Sequence, residues 1–236
     1  MTYVTAYQLL HRMARARSGE TVLVHGAAGR VGTAVLELGA LAGLRLFGTA
    51  SARDRAAVER LGAVAIDYRS EDFLDRVREL TGDGVDVVLD GLGGLTSLRS
   101  FRALRPGGRL VVYGHYAALA HGRKNRRAWI EWYATTAAVA LCGLLAPRRR
   151  VLIYRIQELR DSRQWFPVAG RRPARPVGGS PRNPKWFRED FSALLELLRG
   201  DKIHPVVAER LPLSDARRAH EMLKRSAAQG KLVLVP

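Results

Sequence analysis

The chain has 236 residues, 47% of them hydrophobic and 26% charged, so it is long enough to bury a sizeable core. A single cysteine, Cys142, excludes an intramolecular disulfide and a cysteine-rich zinc cluster. The sequence after Met1 lacks the basic start, apolar core and small-residue cleavage site of a secretory leader, so we expect a cytoplasmic protein.

The net charge of +17 is concentrated in one segment of the chain. Residues 121–182 carry 14 of the 39 Lys and Arg residues but only 3 of the 22 Asp and Glu residues. A local excess of this kind is typical of a solvated basic surface, so we expect no nucleic-acid partner. A binder of nucleic acid or of another anionic surface is kept as an alternative hypothesis.

Apolar runs bounded by glycine alternate with segments of helical period over the first half of the chain. This alternation predicts an α/β fold, a doubly wound parallel sheet of the Rossmann type. The predicted strands are Thr21–His25, Arg45–Ala50, Ala65–Asp67, Val85–Leu89 and Arg109–Tyr113. The predicted helices are Thr5–Ala16, Val31–Ala42, Arg53–Leu61, Glu71–Leu80 and Thr96–Leu104, the last ended by Pro106-Gly107-Gly108.

The second half is less regular. Trp132–Ala146 is apolar but shorter than the roughly 18 residues that cross a bilayer. It predicts a buried or subunit-contact helix, with a membrane-surface helix as the alternative, and no membrane span. Residues 164–184, rich in Pro, Gly and Arg, predict a flexible insertion. The other predicted elements are a strand at Val151–Ile156, a helix from Trp186 to Gly200, a strand at Val206–Leu211, a helix capped by Ser214 and ending near Lys224, and a strand at Lys231–Val235.

A glycine-rich turn joins the first predicted strand to the second helix. Its sequence from Gly26 to Gly32 has the spacing G-x-x-G-x-x-G rather than the usual G-x-G-x-x-G. Backbone N–H groups at the start of a helix lack intrahelical acceptors, and the helix dipole adds partial positive charge. We therefore predict a pyrophosphate site at Gly29, Arg30, Val31 and Gly32. A purely structural glycine turn is the alternative.

The end of the second strand distinguishes the two nicotinamide cofactors. An acidic residue there would bind the adenosine ribose 2′-hydroxyl and repel a 2′-phosphate. The sequence instead continues through Thr49 and Ser51 to Arg53, which offers hydroxyl donors and a guanidinium to a phosphate dianion. This pattern favours NADPH over NADH as the cofactor.

Six sequence blocks resemble, in order, the zinc-independent quinone oxidoreductase branch of the medium-chain dehydrogenase/reductase superfamily. The blocks are Thr2–Tyr7, Gly19–Gly29, Gly48–Ser51, Ile66–Arg69, Leu104–Arg109 and Gly230–Pro236. The resemblance implies hydride transfer from NADPH, without a metal, to a small-molecule substrate of the quinone, activated alkene or carbonyl class. The leading alternative is a cofactor-binding module without catalysis of its own.

The resemblance also implies roles for individual residues. It places Thr5 near the nicotinamide, Arg53 at the 2′-phosphate and Tyr68 beside the same phosphate. Gly114 and His115 follow the fifth predicted strand and correspond to the nicotinamide end of the site, which agrees with ligand binding at strand carboxyl ends. No catalytic residue is assigned, since Tyr3, Tyr7 and His115 are candidates by position only.

The sequence departs from the family pattern in two respects. Arg30 stands where the family has glycine, and its guanidinium could reach the pyrophosphate. The family begins with a GroES-like catalytic domain, and the resemblance implies that the given sequence starts after it. We therefore expect a leading helix over 1–16, a dinucleotide-binding domain over 17–203, and a strand-helix-strand remnant of the GroES-like domain over 204–236. Open edges on the remnant strands, or the Trp132–Ala146 segment, predict a homo-oligomer.

Overall fold

The computed structural model describes residues 1–115, 126–146, 148–154, 184–224 and 231–236. The chain divides into two compact units, Met1–Leu194 and Leu195–Pro236. The predicted insertion over 164–184 lies outside the described residues except for Pro184, which opens a helix. The predicted domain boundaries stay predictions.

A six-stranded parallel sheet forms the centre of the first unit. Its strands are β1 (Thr21–Val24), β2 (Arg45–Ala50), β3 (Ala63–Asp67), β4 (Val85–Asp90), β5 (Leu104–Val112) and β6 (Arg150–Ile153). Its helices are α1 (Thr2–Tyr7, continued by a π-helical turn over Gln8–Ala14), α2 (Arg30–Leu41), α3 (Arg55–Arg60, preceded by a 3-10 turn over Ala52–Asp54), α4 (Phe73–Thr81), α5 (Leu95–Arg102) and α6 (Arg126–Leu145). A further helix, α7 (Pro184–Arg199), continues from the first unit into the second.

The strand order is β3-β2-β1-β4-β5-β6, with every neighbouring pair parallel. The chain moves outward from β1 in one direction and then returns to β4 to move outward in the other. The end of β1 therefore lies at the point where the strand order reverses, which is the position at which such sheets bind ligands. The predicted doubly wound fold is confirmed.

The central strands are buried, in agreement with their mostly apolar sequences. Every residue of β1 and of β4 is buried, as expected for strands covered on both faces. Helices close the core with side chains such as Val77 on α4, Phe101 on α5 and Val139 on α6, all of which pack in one apolar cluster. Burial of this contiguous cluster is the main stabilising contribution to the first unit.

Two sequence predictions need correction. Pro106, Gly107 and Gly108 do not separate a helix from a strand, because they lie within β5, which begins at Leu104. The pairing of β5 with β4 shifts register at this point, which accommodates a proline and a glycine with φ +88 in a strand. Ser214 is not a helix cap, because it lies inside a 3-10 turn, Leu213–Asp215.

The second unit contains a two-stranded parallel sheet. Its strands are β7 (Val207–Pro212) and β8 (Lys231–Val235), and its helix is α8 (Ala216–Lys224), which follows the 3-10 turn. The strand-helix-strand order expected for the C-terminal segment is confirmed. The two strands pair with each other, so one edge of each strand is hydrogen-bonded. The sequence predicted open edges on these strands and did not predict this pairing.

Candidate functional site

Five loops of the first unit meet at one edge of the sheet. They follow the carboxyl ends of β1, β2, β3, β4 and β5, which lie side by side because all the strands are parallel. The loops contain the glycine turn after β1, Ser51–Asp54, Tyr68, the loop after Asp90, and Gly114–His115. The fold thus gathers most of the sequence-predicted site residues at a single edge.

Close packing of the glycine turn against α2 requires glycine at one position above all. A Cβ on Gly32 would lie 2.5 Å from the carbonyl oxygen of Gly26 and 2.6 Å from that of Ala27. Gly26 itself has φ +65, a conformation that other residues rarely adopt. Gly29 has an ordinary φ of −73, and its N–H donates to the Gly26 carbonyl at 2.9 Å. Gly32 therefore lets the first turn of α2 pack directly against the backbone of the glycine turn.

The amino end of α2 has backbone donors that the protein leaves uncapped. Gly29 is the N-cap residue and has no side chain to accept from the first turn. The first N–H bonded to that cap is that of Thr33, which donates to the Gly29 carbonyl at 2.8 Å. The N–H groups of Arg30, Val31 and Gly32 precede it and have no helical acceptor. Gly29 and Arg30 are exposed and Val31 is half-buried, so an anion has access to this end of the helix.

His25 supports the turn from beneath. Its ring is 2% exposed; Nδ1 lies 3.2 Å from Thr49 Oγ1 and Nε2 lies 2.9 Å from Ser100 Oγ. The Thr49 hydroxyl also accepts the N–H of Gly26 at 3.1 Å. Burial lowers the pKa of His25, opposed by the Asp90 carboxylate and assisted by the Arg99 guanidinium. A neutral imidazole therefore joins β1, β2 and α5 directly below the turn.

Thr49 is consequently an internal residue of the site. It is 2% exposed and its hydroxyl is engaged with Gly26 and His25. In this arrangement the hydroxyl stabilises the turn, and a direct contact of Thr49 with a cofactor stays a prediction.

The loop after β2 brings a carboxylate back to the predicted phosphate-binding residues. Ser51 Oγ donates to Asp54 Oδ2 at 2.7 Å, and Arg53 Nε lies 3.3 Å from Asp54 Oδ1. The Ser51 hydrogen bond, together with Arg53 and Arg69, lowers the pKa of Asp54. The Arg53 side chain is 77% exposed and that of Asp54 is 20% exposed. Two predicted phosphate donors thus already have an anionic partner.

Tyr68 and Arg69 complete this end of the site. Tyr68 follows β3 and is 56% exposed, with the Arg69 guanidinium 5.8 Å from its ring centroid. An exposed aromatic ring beside the Arg69 guanidinium, next to the loop that carries Arg53, is suited to an adenosine carrying a phosphate.

The loop after β4 is shaped by a buried carboxylate. Asp90 is fully buried; its Oδ1 accepts the N–H groups of Leu92 and Gly93 at 2.8 and 3.1 Å, and its Oδ2 accepts Ser97 Oγ at 2.5 Å. These bonds satisfy the carboxylate and hold Gly93 at φ +76. Asp90 directly follows the predicted strand Val85–Leu89, and an acidic residue before closely spaced glycines was an available signal for this loop.

Gly114 and His115 lie beside that loop. A Cβ on Gly114 would come within 2.9 Å of the Gly91 carbonyl carbon, so the loops after β4 and β5 are in close contact. The His115 ring lies 5.6 Å from that of Trp132 on α6 and is half-buried. The structure thus gives both residues the position at the strand ends that the sequence predicts for them.

Thr5 lies on α1 rather than on one of these loops, and is 8% exposed. It is near Tyr154, which follows β6 and whose hydroxyl donates to Gln8 Oε1 at 2.8 Å. Burial, with the Asp190 charge, raises the pKa of Tyr154 to about 12, against a hydrogen bond with Thr5 that lowers it. The proximity of Thr5 to a nicotinamide stays a prediction.

A polar cluster that the sequence did not predict fixes the position of α1. Asp190 on α7 is fully buried and accepts Gln8 Nε2 at 2.8 Å and Arg12 Nε at 2.9 Å. A second Arg12 nitrogen lies 2.7 Å from the same carboxylate. Because the partners are separated by 178 and 182 residues, no local sequence pattern could have identified them.

The glycine turn at the reversal of strand order defines a dinucleotide-binding domain of the Rossmann type. Residues 61–234 match the family model described as zinc-binding dehydrogenase, so the chain belongs to that family. The resemblance to the quinone oxidoreductase branch of the medium-chain superfamily is confirmed.

The relatives are longer than this chain. It is 28% identical over 236 residues to synaptic vesicle membrane protein VAT-1 homolog of Danio rerio, covering 99% of this chain and 44% of that protein. It is also 28% identical over 236 residues to 2-haloacrylate reductase of a Burkholderia species, covering 99% of this chain and 60% of that one. A solved structure of Escherichia coli quinone oxidoreductase complexed with NADPH superposes with a TM-score of 0.70 at 26% identity, over 100% of this chain and 63% of that one.

The described residues do not provide a set of ligands for the zinc named in the family description. Among the described residues, no cluster of three His, Cys, Asp or Glu side chains could hold a metal ion. The single cysteine, Cys142, is half-buried on α6.

Within the described part of the chain, the helices fall short of the length and apolar character that a bilayer crossing requires. A cytoplasmic location stays a prediction.

Proposed function

We propose that this chain binds NADPH at the carboxyl edge of its sheet and forms the cofactor-binding part of a metal-independent reductase. The observation that carries the proposal is the uncapped amino end of α2, where Gly32 allows the turn and the helix to approach closely. Three free backbone N–H groups with the positive end of a helix dipole are suited to a pyrophosphate. The NADPH in the Escherichia coli quinone oxidoreductase complex supports the choice of ligand.

The proposed roles follow the loops around the sheet edge. Gly29, Arg30, Val31 and Gly32 bind the pyrophosphate. Ser51, Arg53 and Tyr68 bind the adenosine 2′-phosphate, and Arg69 joins this set because of its position over Tyr68. Thr49 supports the glycine turn through its hydrogen bond with Gly26. Gly114 and His115, with Thr5, lie at the nicotinamide end. When bound, the nicotinamide supplies the hydride, and the protein orients it and excludes water.

Titration calorimetry of the chain with NADPH tests the binding proposal. We expect saturable binding that Arg53→Gln weakens about tenfold, because a phosphate dianion loses a charged donor worth about 1.4 kcal/mol. Arg60→Gln removes a similar charge at the far end of α3 and should leave NADPH affinity unchanged. Absence of saturable binding to the folded wild-type chain would refute the proposal.

The substrate proposed is a quinone or an activated alkene or carbonyl. Support comes from the 2-haloacrylate reductase and quinone oxidoreductase relatives. NADPH oxidation measured with a small benzoquinone tests it. The chain spans 44% to 60% of the length of the two curated relatives, which favours a second candidate, a cofactor-binding module without turnover. Tight NADPH binding without quinone-dependent oxidation would support that candidate.

Self-association forms part of the proposal. The helix predicted at Trp132–Ala146 is confirmed as α6, and one face of it buries Thr135 and Val139. The opposite face exposes large apolar side chains, namely Ile130, Tyr133, Leu141, Leu144 and Leu145. Such a face is typical of a subunit contact. Sedimentation equilibrium measures the oligomeric state.

Retention on heparin at low salt tests the expectation that the chain has no nucleic-acid partner, because a nucleic-acid binder would be retained.

A further inference from the structure

The residues proposed to hold the 2′-phosphate already bind an anion that belongs to the protein. Asp54 accepts the Ser51 hydroxyl at 2.7 Å and lies 3.3 Å from Arg53 Nε. The 3-10 turn over Ala52–Asp54, with the Asp54 N–H donating to the Ser51 carbonyl at 2.9 Å, directs the carboxylate back toward the end of β2. Two of the donors proposed for the phosphate, Ser51 and Arg53, are therefore already bonded to Asp54.

We propose that Asp54 is a specificity-determining residue that reduces the preference of this chain for NADPH over NADH. This inference rests on the proposed function. A 2′-phosphate must displace the Asp54 carboxylate from the Ser51 hydroxyl and compete with it for Arg53, and it must bind close to a fixed negative charge. NADH meets neither obstacle, because its ribose 2′-hydroxyl can donate a hydrogen bond to a carboxylate at the end of the second strand.

The electrostatic surroundings keep Asp54 charged. Ser51, Arg53 and Arg69 all lower its pKa, so the carboxylate is ionised throughout the neutral pH range. A phosphate monoester carries a charge of about −1.5 to −2 at neutral pH, so the repulsion acts on NADPH and scarcely on NADH. The side chain is 20% exposed, so solvent screens part of this repulsion but not all of it.

The experiment compares Asp54→Asn with the wild-type chain. Asparagine keeps the size of the side chain and removes its charge. Dissociation constants for NADPH, NADH, adenosine 2′,5′-bisphosphate and AMP are measured by calorimetry. We expect Asp54→Asn to bind NADPH and the bisphosphate about tenfold more tightly, which corresponds to about 1.4 kcal/mol. Affinity for NADH and for AMP, which both carry a free ribose 2′-hydroxyl, should fall or stay constant.

Glu59→Gln is the matched control. Glu59 lies on α3 and pairs with Arg55 at 3.6 Å rather than with Ser51 or Arg53. Glu59→Gln removes the same charge as Asp54→Asn. Equal gains in NADPH affinity for these two variants would therefore overturn the inference and indicate a general charge effect. Asp54→Ser serves as a second variant, and thermal melting verifies that each variant is folded.

The outcomes separate this inference from the proposed function. If wild-type protein binds NADPH and Asp54→Asn leaves the NADPH to NADH affinity ratio unchanged, the role of Asp54 is refuted while cofactor binding stands. If the wild-type chain binds none of the four nucleotides, the proposed function fails and the inference fails with it. A higher ratio for both Asp54 variants, with no change for Glu59→Gln, supports the inference.

Discussion

Lowering the pH from about 7.5 to about 5 should destabilise the first unit through the buried imidazole of His25. The ring contacts Thr49 and Ser100 through its two nitrogens, and the edge of Phe73 packs against it with ring centroids 4.8 Å apart. Burial lowers its pKa, the Asp90 carboxylate opposes this effect, and the Arg99 guanidinium adds to it. In the folded state His25 therefore binds a proton less readily than it does in the unfolded chain.

The sign and size of the effect follow from proton linkage. Because the folded pKa is below the unfolded value of about 6.5, the stabilisation is present above that pH and is lost as the pH falls below it. The largest loss available at about pH 5 is about 2 kcal/mol, reached when the unfolded chain binds the proton and the folded chain does not. Carboxylates with lowered pKa values, such as Glu20 and Asp72, lose their contribution mainly at lower pH.

Urea unfolding followed by tryptophan fluorescence measures this loss. All four tryptophans precede Leu195, so the signal reports on the first unit. His25→Asn should lower the free energy of unfolding at about pH 7.5 by about 1–3 kcal/mol, because buried hydroxyls lose a partner. It should also flatten the pH dependence. His11, whose pKa is lowered by partial burial, contributes in the same direction, so His11→Asn is the comparison variant.

Two results would refute the reasoning about His25. Equal free energies of unfolding for the wild-type chain at about pH 7.5 and about pH 5 would show that no proton is linked to unfolding in this range. A His25→Asn variant with the same pH dependence as the wild type would assign the linked proton to another group, and the loss of slope in His11→Asn alone would identify that group.

Two further predictions concern the turn and the polar cluster at α1. Gly32→Ala should destabilise the chain by about 1–3 kcal/mol and weaken NADPH binding more than tenfold, because its Cβ would lie 2.6 Å from the Ala27 carbonyl oxygen. Urea unfolding and NADPH titration measure both effects; Gly29→Ala, with a closest approach of 3.0 Å, should be milder, and equal effects would contradict the packing argument. Asp190→Asn should lower the free energy of unfolding by about 2 kcal/mol, because a buried acceptor of charged hydrogen bonds is lost. Glu189→Gln, with its side chain 54% exposed, should cost less than about 1 kcal/mol in the same assay, and a larger cost than for Asp190→Asn would reverse the assignment.

The glycine turn shows what local sequence can predict about a site. Gly26 and Gly32 are required by backbone conformation and by close contact, and both constraints act within a few residues of chain. The same holds for the alternation of strands and helices, since hydrophobic period is a local property. The turn, the helix that follows it and the alternation of strands and helices were therefore accessible from the sequence alone.

Tertiary packing decided the orientation of Thr49, and a turn of the backbone decided that of Asp54. Thr49 carries a hydroxyl suited to phosphate, but packing turns it toward His25 and Gly26. Asp54 follows the predicted phosphate-binding residues in sequence, yet a 3-10 turn returns its carboxylate to Ser51. Sequence position could not distinguish these outcomes, because side-chain direction depends on which hydrogen bonds and contacts the folded chain makes available.

By itself, the sequence determined the elements of the first unit and the loops that meet at the sheet edge, because glycine positions and hydrophobic period act over short distances. Only the tertiary structure decided which groups meet across long separations. Asp190 joins Gln8 and Arg12, and β5 accommodates Pro106 by a shift in register with β4. These pairings depend on the burial of charge and on the packing of distant segments, which no local pattern encodes.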